Sequence, residues 1–193
     1  MKPKRCRECK AQFVPVRAMQ PVCNEYKCKI AYATKAAAKA KKAREQRQRR
    51  EKREWVEANR SYGYLLEKAQ KAVNAYVRVR DHDKACISCG RFNPGIVFGG
   101  VFDAGHYRSV GSSASTRFHL LNIWKQCKHC NDSRGLSGNP IEYRKALVLK
   151  LGEKRVLQLE HDNAVRKYSK GDLRRIATIF RKRERLYKRL KGL

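Results

Sequence analysis

Eight of the 193 residues are cysteines, and they form four close pairs: Cys6 with Cys9, Cys23 with Cys28, Cys86 with Cys89, and Cys127 with Cys130. Three of the pairs have the two-residue gap that lets both thiolates of a tight turn face one ion. Two such turns complete a tetrahedral four-thiolate zinc site. The spacing therefore predicts two structural Zn2+ ions, one on Cys6, Cys9, Cys23 and Cys28, the other on Cys86, Cys89, Cys127 and Cys130. A closed shell of four sulfurs leaves no position for substrate, so these ions would staple the chain. A redox dithiol is the other reading of one such pair, but four pairs in two matched sets have no use in it. The start of the chain, Met1 to Cys6, is positive without a following apolar run, unlike a secretory signal. Reduced thiols in a cytosol are therefore expected.

The second cysteine set encloses a 37-residue segment between Cys89 and Cys127. In it, an apolar, glycine-containing stretch (residues 96–101) leads into Phe102-Asp103-Ala104-Gly105-His106-Tyr107, read as a short strand. Asn122 lies further on, and Asn131 follows Cys130 directly. An acid, an imidazole and two amides are thus held beside a rigid staple. Each has a plainer reading: His106 as a core histidine, Asn131 as a cap of the next helix. His82, His129 and His161 read as solvent-facing, and His119 as more ambiguous.

Taken together, Cys86-x2-Cys89, Asp103 with His106, Asn122, and Cys127-x2-Cys130-Asn131 resemble a zinc-stapled HNH (ββα-metal) nuclease. Endonuclease VII, with an Asp and a His between two such cysteine pairs, is similar. The runs Cys86-Ile87-Ser88-Cys89-Gly90-Arg91, Asp103-Ala104-Gly105-His106-Tyr107-Arg108-Ser109, Arg117…Asn122…Gln126-Cys127 and Gly138-Asn139-Pro140-Ile141-Glu142-Tyr143 narrow this to the lambdoid phage NinG family. That resemblance covers the whole chain, with its densest motifs at about residues 86–143. It implies a recombination endonuclease of the bacterial host cytoplasm that cuts Holliday junctions and D-loops, with phage or host recombination proteins as partners; many junction nucleases pair symmetric active sites to cut opposing strands, so a homodimer is expected. In the chemistry it implies, Asp103 and Asn131 hold Mg2+ or Mn2+. His106 is the general base, and Asn122 braces the loop that carries it. Arg108, Arg117, Lys125 and Arg134 are the nearby candidates for phosphate. One feature departs from many HNH enzymes: the acid stands three residues before the histidine, which on a regular strand puts the two on opposite faces. A bulge or turn at Gly105 is expected to bring them together.

The elements that must position these groups are mostly helical. Residues 30–59 are rich in Ala, Lys, Arg, Glu and Gln with no Gly or Pro, a strong helix pattern with few apolar residues beyond Ala to bury. A second helix is expected over about 62–80, with Tyr64, Leu65, Ala69, Ala72, Val73, Tyr76 and Val77 on its core face. Asn139, Pro140 and Glu142 predict an N-cap, first turn and capping-box partner for a helix to Leu151, stopped by Gly152. Another helix should run over about 153–167. A last one should open at Ser169–Asp172 and reach about Leu190, with Leu173, Ile176, Ile179, Phe180 and Leu186 on one face. The expected fold class is α+β, mainly helical: a zinc-stapled HNH core, an N-terminal zinc knuckle and long basic helices. The expected segments are 1–30 (knuckle), 31–82 (basic arm), 83–143 (nuclease core) and 144–193 (C-terminal helices).

The net charge is +30, distributed as +13 over residues 1–60, +6 over 61–135 and +11 over 136–193. Such an excess destabilises a compact state unless a polyanion is the normal partner. Nucleic acid is the expected polyanion, with Arg174, Arg175, Arg181 and Arg185 of the last helix as further contacts. No apolar run reaches the roughly 18–20 residues of a membrane span, so no membrane partner is expected. Charge and cysteines fit a non-catalytic zinc-dependent nucleic-acid-binding protein equally well, and also a nuclease without junction preference. Only Asp103, His106 and Asn131 separate these readings.

Overall fold

The computed structural model describes residues 2–93 and 101–193. The part of the expected apolar stretch at 96–100 lies outside the described residues. The chain divides into two compact units, Met1–Arg60 and Ser61–Leu193. The division falls inside the expected basic arm, 31–82, because the two helices there bury different things.

In the first unit, β1 (Lys4–Arg5) and β2 (Gln12–Phe13) pair antiparallel and carry Cys6 and Cys9 in the turn between them. Helix α1 (Tyr26–Ala58) follows; it has 33 residues, of which only Cys28 is buried. At 1.5 Å per residue it is about 50 Å long. It begins four residues before the expected start because the second cysteine pair runs straight into its first turn. The core of this unit is Cys6, Val22, Cys23 and Cys28, flanked by Phe13 and Tyr32. That is too little apolar surface to order a chain without a staple.

In the second unit, α2 (Tyr62–Arg80) is capped by Ser61, whose side chain accepts from the Tyr64 N–H. Next come β3 (Phe102–His106), β4 (Ile123–Cys127) and the single turn α3 (Lys128–Asn131). Helices α4 (Pro140–Leu151), α5 (Glu153–His161) and α6 (Lys170–Lys191) complete it. A reciprocal capping box between Ser169 and Asp172 starts α6, where the sequence predicts a start. The ribbon β3–β4 lies between two apolar clusters. Ala104 and Ile123 pack with Leu65, Ala69, Val73 and Val77 of α2 and Leu173 and Phe180 of α6. Trp124 and Tyr107 pack with Tyr143, Leu147, Val156 and Leu159 of α4 and α5. Each of the two core sides takes alternate residues of the ribbon, as the pleat requires.

Some local expectations fail for identifiable reasons. Tyr64, Ile179 and Leu186 are surface residues, at the edges of their helices' buried stripes. Asn139 does not cap α4 with its side chain; it adopts a left-handed conformation (φ 43°) and donates from Nδ2 to the Cys130 sulfur. Glu142 pairs with Lys145 instead of closing a capping box. Helix α5 stops at His161 because the Asp162 carbonyl is taken by Arg108 and Ser115 and its carboxylate by Arg166.

Candidate functional site

All eight cysteines are free, and each predicted set converges with its four sulfurs within 4.8 Å of one another. Cys9 and Cys23 sulfurs are 3.8 Å apart, and those of Cys89 and Cys127 3.7 Å. A tetrahedral zinc with bonds of about 2.3 Å spaces its sulfurs by about 3.8 Å, whereas a disulfide needs about 2.0 Å. Backbone N–H groups already point at the sulfurs: Cys23 N–H at Cys6, and Cys127 N–H at Cys86. Burial and the adjacent thiols push Cys28 up to about 12, and burial likewise pushes Cys130 up. Four thiolates in such a space need a cation to coexist. The donor set and spacing therefore fit zinc at both sites.

The second sulfur cluster closes the end of the ribbon where β4 runs into α3. The ribbon's register is unbroken, from Phe102 opposite Cys127 to His106 opposite Ile123. The bulge expected at Gly105 is absent. Gly105 is required for a different reason: a Cβ there would stand 2.1 Å from Oε1 and 2.8 Å from Cβ of the buried Gln126. Asp103 and His106 consequently project to opposite faces of the ribbon, and they are not brought together directly.

Asn131 connects them. Its Nδ2 donates to Asp103 Oδ2 at 3.2 Å, and it borders with His106 a cavity of about 270 Å³. Ser109, Val110, Ser137 and Pro140 form part of the cavity wall. Asp103 itself does not line it, and its Oδ2 also lies 3.3 Å from the Lys128 ammonium. His106 Nε2 is 3.1 Å from the Arg117 carbonyl. That oxygen can only accept, which puts a ring proton on Nε2, and the Ala104 carbonyl is the ring's second backbone hydrogen-bond partner. Burial holds the His106 pKa below the usual imidazole value; the Arg117 carbonyl opposes this and the Arg117 charge adds to it. The ring is therefore neutral at pH 7, the state a general base needs.

Asn122 is fully buried and spends its amide on the loop behind the site. Its Oδ1 accepts from Arg108 N–H at 2.8 Å, and its Nδ2 donates to the Arg108 and Thr116 carbonyls and to Thr116 Oγ1. It braces the strand end. Two of the expected phosphate contacts are occupied elsewhere. Arg108 donates to the carbonyls of Leu159 and Asp162 and to Asn163, tying down the end of α5. Lys125 is 6% exposed, donates to the His82 and Lys84 carbonyls, and lies over the Phe102 ring. Arg134 pairs with Asp132 while its side chain stays 80% exposed. Arg117 makes no ion pair among the described residues, and its charge reaches His106. Arg175, Arg181 and Arg185 are exposed along α6, and Arg174 is half-buried.

Sequence reasoning missed four residues here. Gln70 of α2 stands 3.4 Å from His106 Nε2. Lys128 sits on Asp103. The Tyr143 hydroxyl donates to the Gly105 carbonyl and accepts from Trp124 N–H, fastening the site strand to α4. Asp81 is buried between Arg80 and Lys84 under β4. Only Tyr143 carried a signal, as part of the Gly138–Tyr143 run; the others depend on contacts between distant segments.

Comparison with known proteins bears on the whole chain. The protein called "Protein ninG" of Escherichia phage lambda is 40% identical over 100 residues, 52% of this chain and 46% of that one. Those of Escherichia phage 933W and Salmonella phage P22 are each 35% identical over 120 residues, 62% of this chain and 56% of theirs. The chain thus spans about half the length of the curated relatives it matches. No solved structure matches it. Residues 1–190 match the model of the family described as "Bacteriophage Lambda NinG protein", and the chain belongs to that family.

Proposed function

We propose that the chain is a metal-dependent DNA endonuclease with an HNH-like (ββα-metal) core, cutting branched recombination intermediates such as Holliday junctions and D-loops in the host cytoplasm. The observation that carries this is the cavity shared by His106 and Asn131 beside a four-thiolate cluster, on the succession strand β3, strand β4, helix α3. At about 30 Å³ per water, the cavity has room for a phosphate group with water beside it. A ring held neutral by burial and oriented by the Arg117 carbonyl suits removal of a proton from that water. Arg117, whose charge reaches His106, would attract the phosphate.

The oxygens of Asp103 and Asn131 are hard donors and fit Mg2+ or Mn2+ better than zinc, which the thiolates favour. When bound, that cation would supply charge stabilisation at the phosphate and the leaving oxygen. The basic residues of α1, and Arg175, Arg181 and Arg185 of α6, supply sequence-independent phosphate contacts. The preference for branched DNA and the link to recombination proteins rest on the resemblance alone, and the pairing of two chains on the symmetric cuts that a junction nuclease makes.

The test is cleavage of matched four-way, three-way and linear DNA with Mg2+ or Mn2+, by the wild type and by His106→Ala. The expected result is nicking that needs the divalent cation, is fastest on branched substrates, and is lost in His106→Ala with binding retained. Binding without cleavage by the wild type under every metal condition would leave a passive zinc-dependent clamp. Equal rates on all three substrates would keep the nuclease and remove the junction preference.

A further inference from the structure

The carboxylate of Asp103 is engaged by two groups from one turn of helix. Asn131 Nδ2 reaches its Oδ2 at 3.2 Å and the Lys128 ammonium lies 3.3 Å from the same atom. Both partners belong to α3 and are three residues apart, the spacing that places two side chains on one helix face. The Lys128 and Asp103 side chains are 20% and 29% exposed, so salt screens their attraction less than it would a surface pair. Among the described residues the Lys128 ammonium has no other ion pair, though its charge also bears on Asp132. A positive charge thus sits on the carboxylate oxygen that a cation held by Asp103 would need.

We propose that Lys128 is the resident counter-ion of the Asp103–Asn131 site, and that a divalent metal ion binds there only by displacing it. The inference rests on the reading of Asp103 and Asn131 as a divalent-cation site. The ammonium keeps the carboxylate oriented when the metal is away, and it is on a flexible four-carbon stem that can swing out. Even swung aside to about 6 Å, the +1 ammonium repels a +2 ion at the dielectric constant of water by enough to weaken affinity about tenfold. The site is therefore a weak one by construction, loaded at high rather than trace concentrations of metal.

The experiment measures Mn2+ binding to the full-length, zinc-loaded chain by electron paramagnetic resonance, without nucleic acid, so that catalysis does not enter. Mn2+ competes poorly for thiolates and reports the oxygen site. Lys128→Met should tighten Mn2+ binding by about tenfold, and Lys128→Arg, which keeps the charge, should stay within about twofold of wild type. Asp103→Asn should abolish the binding in every background. Zinc content and thermal unfolding identify any variant that fails to fold. Unchanged or weaker Mn2+ binding in Lys128→Met, with Asp103→Asn still abolishing it, would overturn the counter-ion role and leave the metal site standing. Mn2+ binding indifferent to Asp103→Asn would remove the site itself, and the inference with it.

Discussion

Gly105→Ala tests the geometry that holds His106 in place. The added methyl would meet Oε1, Cβ and Cδ of Gln126 at 2.1, 2.8 and 3.0 Å. Gln126 cannot swing away freely, because it is fully buried and its Nε2 donates to Ser88 Oγ at 2.8 Å and the Gly138 carbonyl at 2.6 Å. Either those bonds break or the two strands part. Overpacking of this kind costs roughly 1–3 kcal/mol, and each buried hydrogen bond lost adds about 1 kcal/mol. A total near 3 kcal/mol corresponds to a fall of about 6–12 °C in the melting temperature of a unit this size. Thermal unfolding of the zinc-loaded chain, read by near-UV circular dichroism of the second unit's aromatic residues, measures it. The double mutant supplies the control: in a Gln126→Gly background, Gly105→Ala should cost under about 1 kcal/mol, because the clashing atoms are gone. A shift of less than about 2 °C in the single mutant, or the same cost in both backgrounds, would refute the account of why glycine is needed in this strand.

Other consequences are open to direct measurement. Asn122→Ala removes four hydrogen bonds from a fully buried position and should destabilise the second unit by about 3 kcal/mol in urea unfolding; a loss under about 1 kcal/mol would show that the brace is dispensable. An NMR titration of His106 should give a midpoint below 6.5. Because the unfolded ring takes up its proton first, stability should decline as pH falls through 6.5 and level off below the folded midpoint; a midpoint at or above 6.5 contradicts the burial argument. Cys9→Ser should reduce the zinc content from two ions per chain to one and leave the melting of the second unit unchanged, whereas loss of both ions would show that the two clusters are coupled. Arg175→Ala should weaken duplex binding and flatten its salt dependence by about 0.9 in log–log slope without altering stability, while Arg108→Ala should do the reverse, given its bonds to the end of α5.

The one-dimensional pattern settled whatever depends on neighbours in the chain. Close cysteine pairs prescribe thiolate knuckles, because two residues are the right span for a turn around an ion. The apolar spacing of α2 named six of its buried residues, Leu65 to Val77, since helical periodicity is local. Ser169 with Asp172 announced a helix start by the same token. Roles that need segments far apart to meet were not legible. Arg108 and Lys125 look like phosphate contacts in a basic sequence, yet folding gives their donors to carbonyls at Leu159, Asp162, His82 and Lys84. The unbroken pairing of β3 with β4 overruled the bulge, because the space that Gly105 leaves is filled by a glutamine 21 positions away. Residue types and spacing therefore set which chemistry was available. Only the tertiary structure decided that His106 and Asn131 share a cavity and that a lysine rests on Asp103, because those contacts arise when separate strands and helices compete for the same buried volume.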